Sequence, residues 1–91
     1  MNIRWSSDAA DDLESIHLRL PENSTEAAHQ IIRTIYDGCM SLKTFPLRGR
    51  PGKQPGSREL LLPRLPWIVV YRIKGDFIEI SRIWHGAQNR Q

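Results

Sequence analysis

Two runs rich in β-branched and aromatic residues, Trp67–Lys74 and Phe77–His85, are separated only by Gly75-Asp76. That spacing predicts a two-residue β-hairpin with a primed turn, and so tight a turn fixes the register of the strands it joins. Glycine supplies the positive φ such a turn needs, and aspartate tolerates it. The expected pairs are Lys74 with Phe77, Ile73 with Ile78, Arg72 with Glu79, Tyr71 with Ile80 and Val69 with Arg82. Side chains alternate across a strand, so this register sorts the ribbon into two faces. Trp67, Val69, Tyr71, Ile73, Ile78, Ile80 and Trp84, with Arg82 among them, form a nearly apolar face expected against the core. Ile68, Val70, Arg72, Lys74, Phe77, Glu79, Ser81 and Ile83 form a mixed face, with Arg72 and Glu79 expected to pair across the strands. Ile68, Val70 and Ile83 are more apolar surface than a solvated face requires. Cover by a partner or another segment explains them, and so, equally, does ordinary scattered exposure.

Ninety-one residues make one domain, residues 1–91, near the lower size limit for independent folding. Its core is expected to be small, so a bound partner adds substantially to stability. The lone Cys39 excludes an internal disulfide and suits a reducing compartment. It falls within a helical apolar pattern, the signature of a buried, inert thiol rather than a nucleophile. No apolar run reaches membrane-spanning length and no signal peptide precedes the domain, so the expectation is a cytoplasmic protein without a membrane partner. The formal net charge of +3 is modest, but it is unevenly spread. Acids gather at Asp8, Asp11, Asp12 and Glu14, and bases from Arg48 to Arg90. That asymmetry favours an acidic or nucleic-acid partner for the C-terminal half.

The remaining segments complete an α+β order. Asn2–Trp5 reads as a strand, and Ser6-Ser7-Asp8 supplies helix caps. Ala9, Leu13, Ile16 and Leu20 form one apolar stripe, and Pro21 ends that helix. Asn23, with Glu26 three residues later, opens a second helix. Its stripe runs through Ala28, Ile31, Ile32, Ile35, Tyr36, Cys39 and Leu42 to Phe45, and Pro46 stops it. Gly38 is expected to weaken it by about 1 kcal/mol relative to alanine if exposed. Residues 47–56 form a Gly/Pro loop with three bases, and 57–62 a further strand. The architecture expected is β-α-α-β-β-β, an antiparallel helical hairpin packed on a mostly antiparallel sheet.

Chemistry is sparse. His17, His29 and His85 are scattered, and the single cysteine has no partner at ligand spacing, so no metal site is expected. No glycine fingerprint indicates a nucleotide cofactor, and none is expected. Metal-free RNA cleavage needs an acid, a base and cations around the phosphate. Glu59 or His85, with Arg58, Arg72, Arg82 and Lys53, are the residue types available. His85 directly follows a strand and titrates near neutrality when unperturbed. Arg82, alone on an apolar face, calls for snorkelling at the sheet edge or an acid from the helices.

Ile3-Arg4-Trp5-Ser6, Ala9, Asp12-Leu13, Leu42 with Phe45-Pro46, and Gly49-Arg50-Pro51-Gly52 fall in an order that resembles the RelE/ParE superfamily of type II toxin–antitoxin toxins, ParE branch. Arg58-Glu59-Leu60, Val70-Tyr71-Arg72-Ile73, Gly75-Asp76 and Ile83-Trp84-His85-Gly86-Ala87 extend the resemblance over almost the whole chain. The resemblance implies two functional branches. RelE-like members are ribosome-dependent mRNA endonucleases, and ParE-like members block DNA gyrase. Nucleases of the superfamily usually carry an arginine three residues before the third-strand tyrosine, where this chain has Ile68. That absence removes a phosphate-stabilising cation and favours gyrase as the target; His85 keeps the endonuclease alternative open.

The expectation is therefore a non-enzymatic toxin that engages gyrase through Arg82, Trp84, His85 and Arg90. As a nuclease it would use His85 with Arg58, Arg72 and Arg82 on ribosome-bound mRNA. A third possibility is a non-toxic interaction module. Membership implies a cognate, ParD-like antitoxin that forms a hetero-oligomer with the toxin, wrapping a helix and an extended segment around it. Ile68, Val70 and Ile83 are the expected antitoxin contacts.

Overall fold

A computed structural model describes residues 1–20 and 25–86. Its elements are β1 (Asn2–Trp5), α1 (Ser7–Arg19), α2 (Thr25–Ser41), β2 (Arg50–Pro51), β3 (Ser57–Leu61), β4 (Trp67–Lys74) and β5 (Phe77–His85). The expected α+β order is present, with β2 as an additional two-residue edge strand inside the Gly/Pro loop. The expected roles of Pro21 and Asn23 lie outside the described residues.

The five strands form one sheet in the order β1-β5-β4-β3-β2. Sequential strands pair antiparallel, whereas β1 lies parallel to β5. A parallel neighbour requires a crossover, and the intervening helices occupy it. They cover one face of the sheet, where Ala9, Ile16, Ile35, Cys39 and Leu42 pack against Leu60, Val69, Tyr71, Ile78, Ile80 and Ile83. Among the described residues, no helix is long and apolar enough to cross a membrane.

The β4–β5 turn has Gly75 at φ +60, while Asp76 is not in the positive region. A positive φ at the first central residue alone is the type II′ pattern. From the turn, the expected register holds for four pairs, through Tyr71 opposite Ile80. It then shifts, because Val70 faces Arg82 and leaves Ser81 as an extra residue in β5. Val69 therefore faces Ile83 rather than Arg82, and Ile68 faces Trp84. A bulge exchanges the faces of everything beyond it. Ile83 turns into the core at 3% exposure, and Arg82 and Trp84 take register positions with Val70 and Ile68 on the opposite face. The bulge is held from the far end of the chain. Ser6 N–H donates to the Ile80 carbonyl at 3.0 Å, and Ser6 Oγ donates to the Ser81 carbonyl at 2.9 Å. The same Oγ caps α1 by accepting from Ala9 N–H at 3.0 Å.

Other local departures have equally local causes. Arg72 does lie opposite Glu79, but Glu79 pairs with Lys74 at 3.3 Å, and Arg72 Nη1 donates to the Pro55 carbonyl at 2.7 Å. Helix α2 ends at Ser41, before Pro46. Bonds from Leu42, Lys43 and Thr44 to carbonyls three residues back tighten the chain there, and Phe45 swings out to 61% exposure. Gly38 is buried rather than exposed. A Cβ there would stand 2.5 Å from Leu62 Cδ2, so its helix cost is exchanged for close contact with the strand layer.

Candidate functional site

Strand β1 pairs with β5 only from Phe77 to Ile80. Past the bulge β5 continues alone on that side, with α1 alongside. The notch so formed is a cleft of about 660 Å³ between α1 and the end of the hairpin. Helix α1 contributes Asp12, Ser15, Ile16 and Arg19. From the sheet come Trp67, Ile83 and His85, together with Arg82 and Trp84. Three of the four expected target-contact residues thus share one cleft. Arg90 lies outside the described residues.

Asp12 organises this cleft. Its Oδ2 accepts from Arg82 Nε at 2.8 Å and from Ile83 N–H at 2.9 Å, and its Oδ1 accepts from Arg82 Nη2 at 3.1 Å. The carboxylate therefore closes a fork on the guanidinium and caps an amide on the unpaired edge of β5. This hydrogen bond raises the Arg82 pKa above its ordinary value, outweighing the desolvation that opposes it. The Arg82 guanidinium also lies over the Trp84 ring, 5.2 Å from its centroid. His85 faces Trp67 across the strands, their rings edge to face at 6.3 Å.

The sequence anomaly at Arg82 pointed to an acid from the helices without saying which. The signal was available. Asp12 follows Ala9 by three residues and precedes Ile16 by four, which places it on the buried face of α1. Arg19, three residues after Ile16, shares that face and was likewise missed.

The residues named for RNA cleavage do not assemble. Arg58 faces Tyr71, and its Nε donates to the Gly49 carbonyl at 2.9 Å. It there supports a loop that Tyr71 also holds, its hydroxyl donating to the Pro46 carbonyl at 2.7 Å and accepting from Gly49 N–H at 2.9 Å. Arg72 is turned to the loop at Pro55, and Arg82 to Asp12. His85 pairs with Trp67, five residues along β4 from Arg72, roughly 16 Å at strand rise. Glu59 is buried at 5% exposure and binds Arg50 at 3.2 Å. Of the expected antitoxin contacts, Ile68 and Val70 share a sheet face, Ile68 buried at 8% exposure and Val70 half-buried, whereas Ile83 is in the core on the other. Among the described residues, no group of three His, Cys, Asp or Glu is placed to hold a metal.

Residues 3–90 match the family described as the ParE toxin of type II toxin-antitoxin system, parDE. A putative toxin, Y4kP, from Sinorhizobium fredii is 34% identical over 94% of this chain and 88% of its own length. The chromosomal ParDE TA system from P. aeruginosa contains a chain of similar structure, with a TM-score of 0.82 and 32% identity over 93% of this chain and 95% of that one. The toxin-antitoxin complex RelBE2 from Mycobacterium tuberculosis shares the fold, at a TM-score of 0.66 and 22% identity over 92% of this chain and 95% of that one.

Proposed function

This chain belongs to the ParE toxin family of type II toxin–antitoxin systems, and from that premise we propose that it inhibits DNA gyrase by direct binding, without hydrolytic chemistry. The contact residues are Arg82, Trp84 and His85 at the α1–β5 cleft, together with Arg90, which lies outside the described residues. The observation that carries this reading is the carboxylate fork of Asp12 on Arg82, which holds a guanidinium and an indole together at the cleft mouth. A rigid, partly solvated Arg/Trp pair has the composition of a protein-binding hot spot. The dispersal of Arg58, Arg72 and His85 supports the same reading, because phosphoryl transfer needs its acid, base and cations around one phosphate.

A cognate antitoxin neutralises the protein in a hetero-oligomer, as the complexes of its structural neighbours suggest. Its contact surface on the toxin is the sheet face away from the helices, where Leu61, 51% exposed, and the half-buried Val70 are reachable beside Ile68, which keeps only 8% exposure. Ile83 takes no part in this surface, because it lies on the helix-covered face of the sheet.

The second reading, a ribosome-dependent mRNA endonuclease, is favoured by one observation, the exposed position of His85 at the cleft. A supercoiling assay run beside cleavage of ribosome-bound mRNA separates the two. Inhibited supercoiling with intact mRNA is the expected result. Cut mRNA with unimpaired supercoiling discards the gyrase reading.

A further inference from the structure

The α1–β5 cleft has an apolar floor and a cationic rim. Ile16 and Ile83 are buried at its base, 7% and 3% exposed. The one carboxylate in its lining, Asp12, is already occupied by three donors. Two guanidinium groups remain at the rim. Arg82 keeps 40% of its side chain exposed despite its pairing. Arg19 is exposed on the last turn of α1, and no carboxylate among the described residues pairs with it. The volume is that of a site enclosing a few side chains.

The charges around the cleft select its occupant. Asp8, Asp11 and Glu14 are exposed on the same helix, and Asp8 acts electrostatically on Arg82. A nucleic-acid strand would bring a run of phosphates against these acids within a Debye length of about 10 Å. A single carboxylate beside an apolar side chain meets the opposite balance. It gains a charge-assisted bond to a guanidinium and removes apolar surface from water.

We infer that the cleft receives an extended segment of the protein target that carries an apolar side chain next to a carboxylate, the first on the Ile16 and Ile83 floor and the second on Arg19. The inference rests on the reading of this cleft as the target-binding site. It adds the chemistry of the segment bound and a contact, Arg19, on the helix.

The test has two arms on the full-length toxin. In the first, the peptides Ac-Leu-Glu-Leu-NH2 and Ac-Leu-Gln-Leu-NH2 are titrated into isotope-labelled protein and followed by NMR. The Glu peptide is expected to shift Ser15, Arg19 and Ile83 and to bind about tenfold more tightly than the Gln peptide. Arg19→Gln is expected to erase that preference while leaving the melting temperature unchanged, a split that a merely structural arginine does not produce. Equal affinity for the two peptides, no binding of either, shifts elsewhere on the surface, or displacement of the Glu peptide by a single-stranded oligonucleotide overturns the inference. In the second arm DNA gyrase is the probe. Arg19→Glu is expected to weaken binding at least about tenfold, with Lys43→Glu, the same charge change on an exposed turn, leaving it unaltered. Peptide discrimination without gyrase binding upholds the cleft chemistry and rejects gyrase as the target. Gyrase binding indifferent to Arg19→Glu rejects the cleft chemistry and leaves gyrase standing.

Discussion

Asp12 and Arg82 lie 70 residues apart in sequence and meet through a two-point fork at 2.8 and 3.1 Å. The pair joins the first helix to the last strand at the place where β1 no longer covers it. Asp12→Ala removes the acceptor for three donors, two of them partly open to water, so the expected loss is about 1–2 kcal/mol. Asp12→Asn keeps one oxygen to accept from Ile83 N–H and Arg82 Nε but turns an NH2 donor toward Arg82 Nη2, so it loses the charge and one arm of the fork, and the expected cost is close to that of alanine, about 1–2 kcal/mol. Urea unfolding measures both. The concentration for half-inhibition of supercoiling should rise for each variant by more than the fraction unfolded explains.

Tyr71 predicts a second, larger effect far from the cleft. Its side chain is fully buried, and its hydroxyl both donates to Pro46 and accepts from Gly49. Tyr71→Phe leaves the buried Gly49 amide without this acceptor, at an expected cost of about 1–3 kcal/mol. For a domain of this size each kcal/mol shifts the melting temperature by about 4–8 °C. Calorimetry checks the size.

Cys39 sets an alkaline limit. Burial pushes its thiol pKa up from an ordinary 9.0 to about 12. The folded state holds this proton more tightly than the unfolded chain, so the contribution is constant below about pH 9 and lost as pH rises toward about 12. Over that interval the stability gap between wild type and Cys39→Ala should narrow by up to about 1.4 kcal/mol per pH unit. Chemical denaturation at a series of alkaline pH values tests it. A thiol reagent at neutral pH should modify the protein only as fast as it opens.

Arg64 is the single described non-glycine residue with positive φ, at 63. It follows Pro63 in a turn closed by Leu65 N–H donating to the Leu62 carbonyl at 3.2 Å. Proline at the second position and a left-handed third residue make this a type II turn, in which glycine fits best. Arg64→Gly should therefore stabilise the fold by about 0.5 kcal/mol, relief of the left-handed cost being partly offset by the freer unfolded chain. Arg64→Val should destabilise it by about 1 kcal/mol. Parallel urea titrations of the two variants give the sign of each.

What was legible in the sequence divides along the range of the forces involved. The Gly75-Asp76 turn and the four pairs nearest it follow from neighbours in the chain, and they are present. The shift beyond Tyr71 is stabilised by Ser6, whose hydroxyl reaches Ser81 across 75 residues, and no local pattern announces that contact. The stripe of α2 was readable as far as Leu42, which is buried, but Pro46 marked its end too late. The serine at position 41 turns its hydroxyl onto the Gly38 carbonyl, 2.6 Å away, and the helix closes there. At the candidate site Arg82 stood out as a charge among apolar residues. Its partner did not, because Asp12 sat in a run of acids whose helical phase separates it from Asp11 and Glu14 only when compared with Ala9 and Ile16. Arg72 and Glu79 show the remaining kind of difference. Their register was right, but the lysine two residues on, its neighbour on the same face, took the carboxylate, and Arg72 turned to the Pro55 carbonyl instead.

The supernumerary Ser81 makes the last strand change phase midway, so the inward parity of Ile78 and Ile80 passes to Ile83. Ordinary replacements on either side alter one side chain at a time. A deletion or insertion between Ile80 and Arg82 would instead trade interior for exterior along the whole remaining ribbon, placing a guanidinium where an isoleucine belongs. This tripeptide is therefore a spacer whose length, more than its composition, keeps the molecule's interior and its recognition surface from changing places.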